Sequence, residues 1–509
     1  ERHQGTLTTQ GRNKWYNRRM EKELRELEFA AALALALGGE RYPSERLEAI
    51  WKEVLLYQFH DILPGSSIGR VYEESLARYA ALLDEVRALR DAAYAEAAGR
   101  LGWAGRPAVF NSLPWEREAW VAWNGAWRKV RVPAMGGVPL EDGACGAEPD
   151  VAALRAGDAA LENARLRVEF AEDGSLRSVY DKAAGREALR AGGRGNVLTV
   201  YHDDGDAWDF PRDYRDAPAG TMRLERVAYA VRGHRAVAEQ LYRFGESTLK
   251  LTVALAEGGD TVEFEAEADW RESGKMLRAS FDVAVRADTA SCEIQFGYLK
   301  RPATRNTLTE MARDEVCAHH YIDLSQPDYG VALLNDGKYG HRAADGELDL
   351  NLLRSPSYPD PSADRARHEF RYALYPHEGD CVQAGVMRKG YEMNVPLVVV
   401  CAAGSMDGAA SVAAADGGRR ALAWIRPEHP HVMVEAVKKA EDDDRIVIRL
   451  YESAGACAEG KIRFGLPVLA AEETNLLEEE PVPLEVKEGA VALSFRPFEI
   501  KTVRIRVQG

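Results

Sequence analysis

Apolar residues along this chain recur with two different periods, and the period changes near residue 105. Residues 12–102 are rich in Ala, Leu, Glu and Arg at helical spacing and predict three helices. The first covers residues 13–37 and is stopped by Gly38-Gly39. The second is expected to be capped by Ser44 and to carry Leu47, Ile50, Trp51, Val54 and Leu55 on one stripe. The third, capped by Ser66 or Ser67, runs through Val71, Leu76, Tyr79, Leu82, Leu83, Val86 and Leu89. From Val109 onward the period becomes two. Residues 261–270 alternate strictly, with Val262, Phe264 and Trp270 on one face and Glu263, Glu265 and Glu267 on the other. Residues 249–255 and 446–450 alternate similarly, and turn residues such as Asp173-Gly174-Ser175 and Gly258-Gly259 recur. Many strands in succession without intervening helices predict antiparallel sandwiches rather than a βαβ sheet. The expected fold class is multidomain α + β: a three-helix bundle over 1–105, a small β segment over 106–154, a large sandwich over 155–410 and a C-terminal sandwich over 411–509. The Gly/Ala-rich stretch 402–419 is the expected linker.

Composition narrows the function classes only a little. At 509 residues and 46% hydrophobic, the chain can bury several cores. A net charge of −15 argues against nucleic-acid and anionic-membrane partners, which it would repel. No apolar run approaches a membrane span. The six cysteines are scattered without a C-x-x-C pair, which favours a reducing, cytoplasmic setting.

The candidate chemistry lies at the second helix boundary. Pro64-Gly65 forbids the helix from continuing, so His60-Asp61 falls in a tight inter-helix turn. A framed loop is where binding residues concentrate, and an imidazole beside a carboxylate can serve a metal or a hydroxyl-rich ligand. The plain alternative is that His60 caps the helix and Asp61 is solvated. The surrounding string, Gln58-Phe59-His60-Asp61-Ile62-Leu63-Pro64-Gly65-Ser66-Ser67-Ile68, resembles the signature of glycoside hydrolase family 38 α-mannosidases. Further matches follow in the family's order. They include residues 1–10 with Arg12-Asn13-Lys14, Asp206-Ala207-Trp208-Asp209, Asp269-Trp270-Arg271-Glu272 and Glu293-Ile294-Gln295-Phe296-Gly297. Arg301-Pro302 with Arg305-Asn306-Thr307, residues 334–340, residues 353–361 and Pro497-Phe498-Glu499-Ile500 complete the set.

The resemblance implies a zinc-dependent retaining α-mannosidase acting on terminal α-D-mannosyl residues of oligosaccharides, with a galactose-mutarotase-like supersandwich as its largest β unit. It implies that His60 is a zinc ligand and that Asp61 accepts hydrogen bonds from sugar hydroxyls. His3, Trp208 and Asp209 are the other candidate substrate-binding residues. Retaining hydrolysis needs a nucleophile carboxylate and an acid/base carboxylate about 5 Å apart. In the family both come from an N-terminal α/β domain. The chain opens at Glu1 inside a recognisable motif, so it is expected to be the C-terminal part of such an enzyme. Neither catalytic residue is then expected here, the absent domain is a partner, and zinc is not expected to be retained. Asn335, Asp336, Lys338 and Tyr339 could line a pocket but are better read as a structural turn. His319-His320, on a strand, would face opposite ways and could not share a metal. Other classes remain: a non-catalytic carbohydrate-binding or assembly module, and an aldose-epimerase-like activity, for which the sequence offers no convincing His–carboxylate pair.

Overall fold

The computed structural model describes residues 2–39, 41–140, 149–401 and 421–508. Three helices lead the chain: α1 (Gly11–Ala36), α2 (Ser44–Tyr57) and α3 (Gly69–Arg100). Gly38, in the left-handed region at φ 88°, and Gly39, whose N–H returns to the Ala34 carbonyl at 2.9 Å, end α1 as the glycine pair predicts. Met20, Leu24 and Leu27 of α1 pack with Leu47, Ile50 and Val54 of α2 and with Tyr79, Leu82, Leu83 and Val86 of α3. The predicted stripe of α2 is narrower than its spacing suggests, because Leu55 is 58% exposed beside Leu56 and Phe59.

The helix starts differ from expectation. Pro43 holds the N-cap of α2, its carbonyl receiving the Leu47 N–H at 2.9 Å, so Ser44 is already inside the helix. Ile68 holds the N-cap of α3. Ser66 and Ser67 turn back instead: the Ser67 hydroxyl donates to the Asp61 carbonyl at 2.8 Å, and the Ser66 hydroxyl lies 3.3 Å from Asp61 Oδ1. The N-terminus of α1 is closed from far along the chain, since Asp364 accepts the N–H groups of Gln10 at 2.6 Å and Gly11 at 2.7 Å.

The rest is β structure, and every strand ladder among the described residues is antiparallel. A nine-stranded sheet and a six-stranded sheet enclose the largest core, and a five-stranded sheet over residues 155–187 packs into it. Val262, Phe264 and Trp270 sit in that core with no exposed area, as the alternation predicts. The last unit sets the three strands Ile425–Pro427, Ala458–Phe464 and Ala490–Phe495 against a five-stranded sheet. Its core is continuous with the second halves of α1 and α3 through Phe29, Leu33, Tyr94, Trp103 and Trp424. Strand Pro107–Asn111 pairs with Val398–Cys401 and with Gly136–Pro139, so the chain enters and leaves the large sandwich through one small sheet. The observed fold class is the expected one: helices first, then antiparallel β-sandwiches. The stretch 402–419 and Cys145 lie outside the described residues; Cys292, Cys317, Cys381, Cys401 and Cys457 are free thiols.

Candidate functional site

Past the end of α2 the chain makes two tight turns, with Ile62 N–H donating to the Phe59 carbonyl at 2.9 Å and Gly65 N–H to the Ile62 carbonyl at 3.1 Å. Gly65 has φ 97°, and a Cβ there would lie 2.7 Å from the Thr9 carbonyl oxygen, so only glycine fits. These turns carry His60 outward. Its side chain is 77% exposed, that of Asp61 52%, and Nε2 lies 3.5 Å from Asp61 Oδ2. The Asp61 carbonyl is fixed by Ser67 and by the Tyr72 hydroxyl at 3.2 Å. The backbone therefore holds the turn while both functional groups face outward.

A second cluster forms around the fully buried Arg354. Its Nε pairs with Asp203 Oδ2 at 2.8 Å, and Nη2 donates to Asp203 Oδ1 at 3.0 Å and to the Asp209 carbonyl at 2.7 Å. Nη1 donates to Thr9 Oγ1 at 2.9 Å and to the Ala207 carbonyl at 3.2 Å. Asp206 Oδ1 accepts the N–H groups of Trp208 and Asp209, each at 3.0 Å, which folds 206–209 into a side-chain-closed turn. Trp208 is left half-buried and Asp209 exposed. The N-terminal segment docks on this loop, with Gly5 N–H to the Trp208 carbonyl at 2.8 Å and Gln4 N–H to Asp209 Oδ1 at 3.2 Å. His3 Nδ1 stands 3.5 Å from Asp209 Oδ2. His3, Trp208 and Asp209 are thus brought together although about 200 residues separate them in sequence.

Lys14 joins the two clusters. It is buried, and its ammonium donates to the Thr9 carbonyl at 2.5 Å and to the Leu63 carbonyl at 2.7 Å. Burial pulls Lys14 well below the usual lysine range despite the counter-pull of Asp364. Burial likewise pushes Asp364 above the usual aspartate range, against Lys338 and the N–H groups of Gly11 and Gln10. Sequence reasoning missed this buried frame of Arg354, Asp203, Lys14 and Asp364. It also left Tyr358 without a role, though this exposed ring lies 6.3 Å from Trp208. The string 353–361 contains Arg354 and Tyr358, but nothing local signals where they point.

Other candidates take part in structural contacts, although Asp336 also lines a cleft beside α1. Asn335 Oδ1 closes a buried turn by accepting from Gly337 and Lys338, and Asp336 pairs with Arg19 of α1 and with Arg371, both at 3.3 Å. His319-His320 precede strand Tyr321–Ser325 rather than lying on it. His320 is buried with Nδ1 2.7 Å from Glu293, while His319 meets the Tyr339 ring. Burial alone would raise the Glu293 carboxyl, but the charge and hydrogen bonds of His320 bring it down to about 2. His377 Nε2 and Asp323 Oδ2 form a second His–carboxylate pair at 2.8 Å. Sequence reasoning found no such pair; both pairs are buried and cannot face a sugar oxygen.

Two enclosed imidazoles set an acid limit on the fold. Burial depresses His341 to about 4 and His368 to about 3. Their folded values lie below the unfolded one, so the stability they contribute is complete above about pH 6.5 and is lost as pH falls toward 4 and 3. Each is expected to steepen acid destabilisation by about 1.4 kcal/mol per pH unit in that window. Urea midpoints measured from pH 7 to 4 should show a shallower fall for His368→Asn; an unchanged slope would contradict this account.

Among the described residues no group of three or more His, Cys, Asp or Glu side chains is placed to hold a metal. The turn does offer one exposed imidazole nitrogen with a carboxylate beside it, which suits one donor of a site completed by other groups. Comparisons with known proteins agree along the chain. Residues 1–96 match the alpha mannosidase middle domain, 161–362 the glycosyl hydrolases family 38 C-terminal domain, and 431–503 the family 38 C-terminal beta sandwich domain. The chain is 35% identical over 551 residues to alpha-mannosidase 2C1 of Homo sapiens, which covers 100% of this chain and 50% of that protein. It is 29% identical to alpha-mannosidase G of Dictyostelium discoideum, covering 99% and 52% respectively. The chain thus spans about half the length of the curated relatives it matches. An alpha-mannosidase crystal structure from Enterococcus faecalis shares the fold at a TM-score of 0.79 and 16% identity, covering 99% of this chain and 68% of that one. With three family 38 domains matched in order and relatives aligned along its whole length, the chain belongs to glycoside hydrolase family 38.

Proposed function

We propose that this chain supplies one side of the active site of a zinc-dependent retaining α-mannosidase that removes terminal α-D-mannosyl residues from oligosaccharides. The observation that carries the proposal is the outward-facing His60-Asp61 pair on a turn whose backbone is fixed from both flanks. Around it Leu55, Leu56, Phe59 and Ile68 are all more than half exposed, a ring of apolar surface that suits a covering domain. Such a domain, in the half of the relatives that this chain does not span, would contribute the nucleophile, the acid/base and the other metal donors. His60 would offer Nε2 as one zinc donor, and Asp61 Oδ2 would accept from a sugar hydroxyl. Trp208 would lie against the apolar face of a sugar ring, with Asp209 and His3 at its hydroxyls. Zinc, when bound, would act as Lewis acid and template for the mannosyl hydroxyls. No helix among the described residues is long and apolar enough to cross a membrane. The five free thiols and the acidic charge support a cytoplasmic site of action.

The proposal makes the chain by itself inert, because one imidazole holds zinc poorly and neither reacting carboxylate belongs to it. Incubation of the purified chain with an aryl α-mannoside and zinc should release no phenol above background. Chelator-sensitive turnover by a pure preparation would mean that the reacting groups are in this chain after all.

A further inference from the structure

The outer face of the nine-stranded sheet carries a groove that the His60 turn does not use. Four neighbouring strands, Arg235–Phe244, Ser247–Ala256, Val262–Asp269 and Arg367–Glu378, form its floor. Their register sets Glu239, Thr252, Glu265 and Arg371 side by side in one row across the strands. Because Val262, Phe264, Ala266 and Ala268 fill the core, Glu263, Glu265 and Glu267 must face outward. A cleft of about 520 Å³ covers one end, walled by Trp15 and Arg19 of α1. A second, of about 620 Å³, covers the other, walled by Trp120, Trp127 and His234. Trp120 and Trp127 come from the hairpin of Arg117–Trp123 and Ala126–Val132. Glu265 and Arg371 line both clefts, so the two adjoin there along the sheet.

Two features give the ligand its chemistry. The first is an unmet hydrogen-bonding need. His234 is only 7% exposed, yet its Nδ1 has no partner, and neither does the indole Nε1 of Trp120. The two rings stack at 5.1 Å and 23°, which prevents each nitrogen from serving the other. Buried polar atoms of this kind are nearly always satisfied. Burial, assisted by Arg235, holds His234 down at about 4, so the ring is neutral rather than a cation, and a ligand reaches its Nδ1 only if the Trp127 ring 4.2 Å away gives way.

The second feature is that charges lining the second cleft are already paired. Arg235 binds Glu265 at 2.6 Å, Lys389 binds Asp260 at 2.8 Å, and Lys129 lies 3.5 Å from both Glu118 and Glu257. An ionic ligand would have to break such pairs. A neutral hydroxylated ring needs only their free lone pairs and N–H groups, together with an aromatic surface such as Trp127, which is 37% exposed. Each floor strand is hydrogen-bonded on both sides, so an extended peptide has no edge to join. Nucleic acid is repelled by the net charge of −15.

We propose that this groove binds a neutral oligosaccharide, with the indoles of Trp120 and Trp127 against its sugar rings and the Glu239–Thr252–Glu265 row along its hydroxyls. The groove needs neither His60 nor the 206–209 loop, so it stands or falls apart from the proposed active site. Isothermal titration of the 509-residue chain with α-linked mannopentaose and with β-linked cellopentaose tests it. Saturable binding of at least one probe is expected. Trp127→Ala and Glu265→Gln, both at partly exposed positions, should each weaken it about tenfold without loss of the folded melting transition. His60→Ala should bind as tightly as the unaltered chain. Failure of both probes to saturate by about 10 mM, or unchanged affinity in both groove variants, overturns the proposal. Loss of binding in His60→Ala also overturns it, because the sugar would then sit at the turn.

Discussion

A His60→Ala exchange, made where this chain is joined to an N-terminal α/β domain of its family, is expected to cut aryl α-mannoside turnover by more than about a hundredfold. Loss of a mere orienting partner of a metal ligand already costs roughly 10- to 100-fold, and a ligand should cost more. Bound zinc should fall in parallel if His60 holds the proposed role, because one of about four protein donors would be removed. Stability should barely change. The imidazole is 77% exposed, and its contacts are the Phe59 ring and the Asp61 carboxylate. If His60 served only the C-terminal end of α2, the same exchange would cost about 0.3–1 kcal/mol and spare the rate. Asp61→Asn provides a second arm, because the turn is secured mainly by the Asp61 backbone carbonyl. That variant should keep its zinc and lose sugar affinity. Full zinc occupancy with a near-normal rate in His60→Ala would falsify the metal role.

How much of this was readable beforehand depends on the range over which each feature is encoded. The three helices, the Gly38-Gly39 stop and the buried face of Val262, Phe264 and Trp270 follow from periods of 3.6 and 2, which neighbouring residues alone establish. The outward position of His60-Asp61 was equally legible, because Pro64-Gly65 forces a turn between two amphipathic helices. The caps were not. Ser44, Ser66 and Ser67 have the right chemistry for helix starts, but the latter two found a closer acceptor at Asp61, while α1 is closed by Asp364 from about 350 residues away. Leu55 belongs to the helical stripe by spacing yet faces out, because position on a helix cannot say where the opposing surface ends. Nor could any local pattern show that 107–111 would pair with 398–401. For the site, residue types were legible and their assembly was not. His3 and Asp209 meet only because Arg354 gathers carbonyls from the 206–209 loop.

Replacing Arg354 with methionine is expected to destabilise the junction between the N-terminal segment and the large sandwich by about 3–5 kcal/mol, the cost of stranding a buried charge. Arg354 and Asp203 have no exposed side-chain area and meet at 2.8 Å. Methionine would leave the Asp203 carboxylate without its cation, and would also remove a donor from Thr9 Oγ1 and from the carbonyls of Ala207 and Asp209, each of which keeps another partner. Asp203→Leu alone should harm comparably by leaving the guanidinium unpaired. The double variant should be milder than the sum of the two, because an apolar pair removes both charges at once. A single global transition would blur this in a multidomain chain, so amide exchange at Gly5 and Ala207 is the better probe. The Gly5 N–H donates to the Trp208 carbonyl across the junction, and the Ala207 N–H ties the 206–209 loop to the Tyr358 carbonyl. Their protection should drop in Arg354→Met while that of Val262 and Phe264 in the sandwich core persists. Gly5 and Ala207 protected as in the unaltered chain would show that the guanidinium does not hold the loop. If protection is lost, Trp208 and Asp209 lose their place as well, and the surface loop proposed to face the glycan is traced to a buried ion pair beneath it.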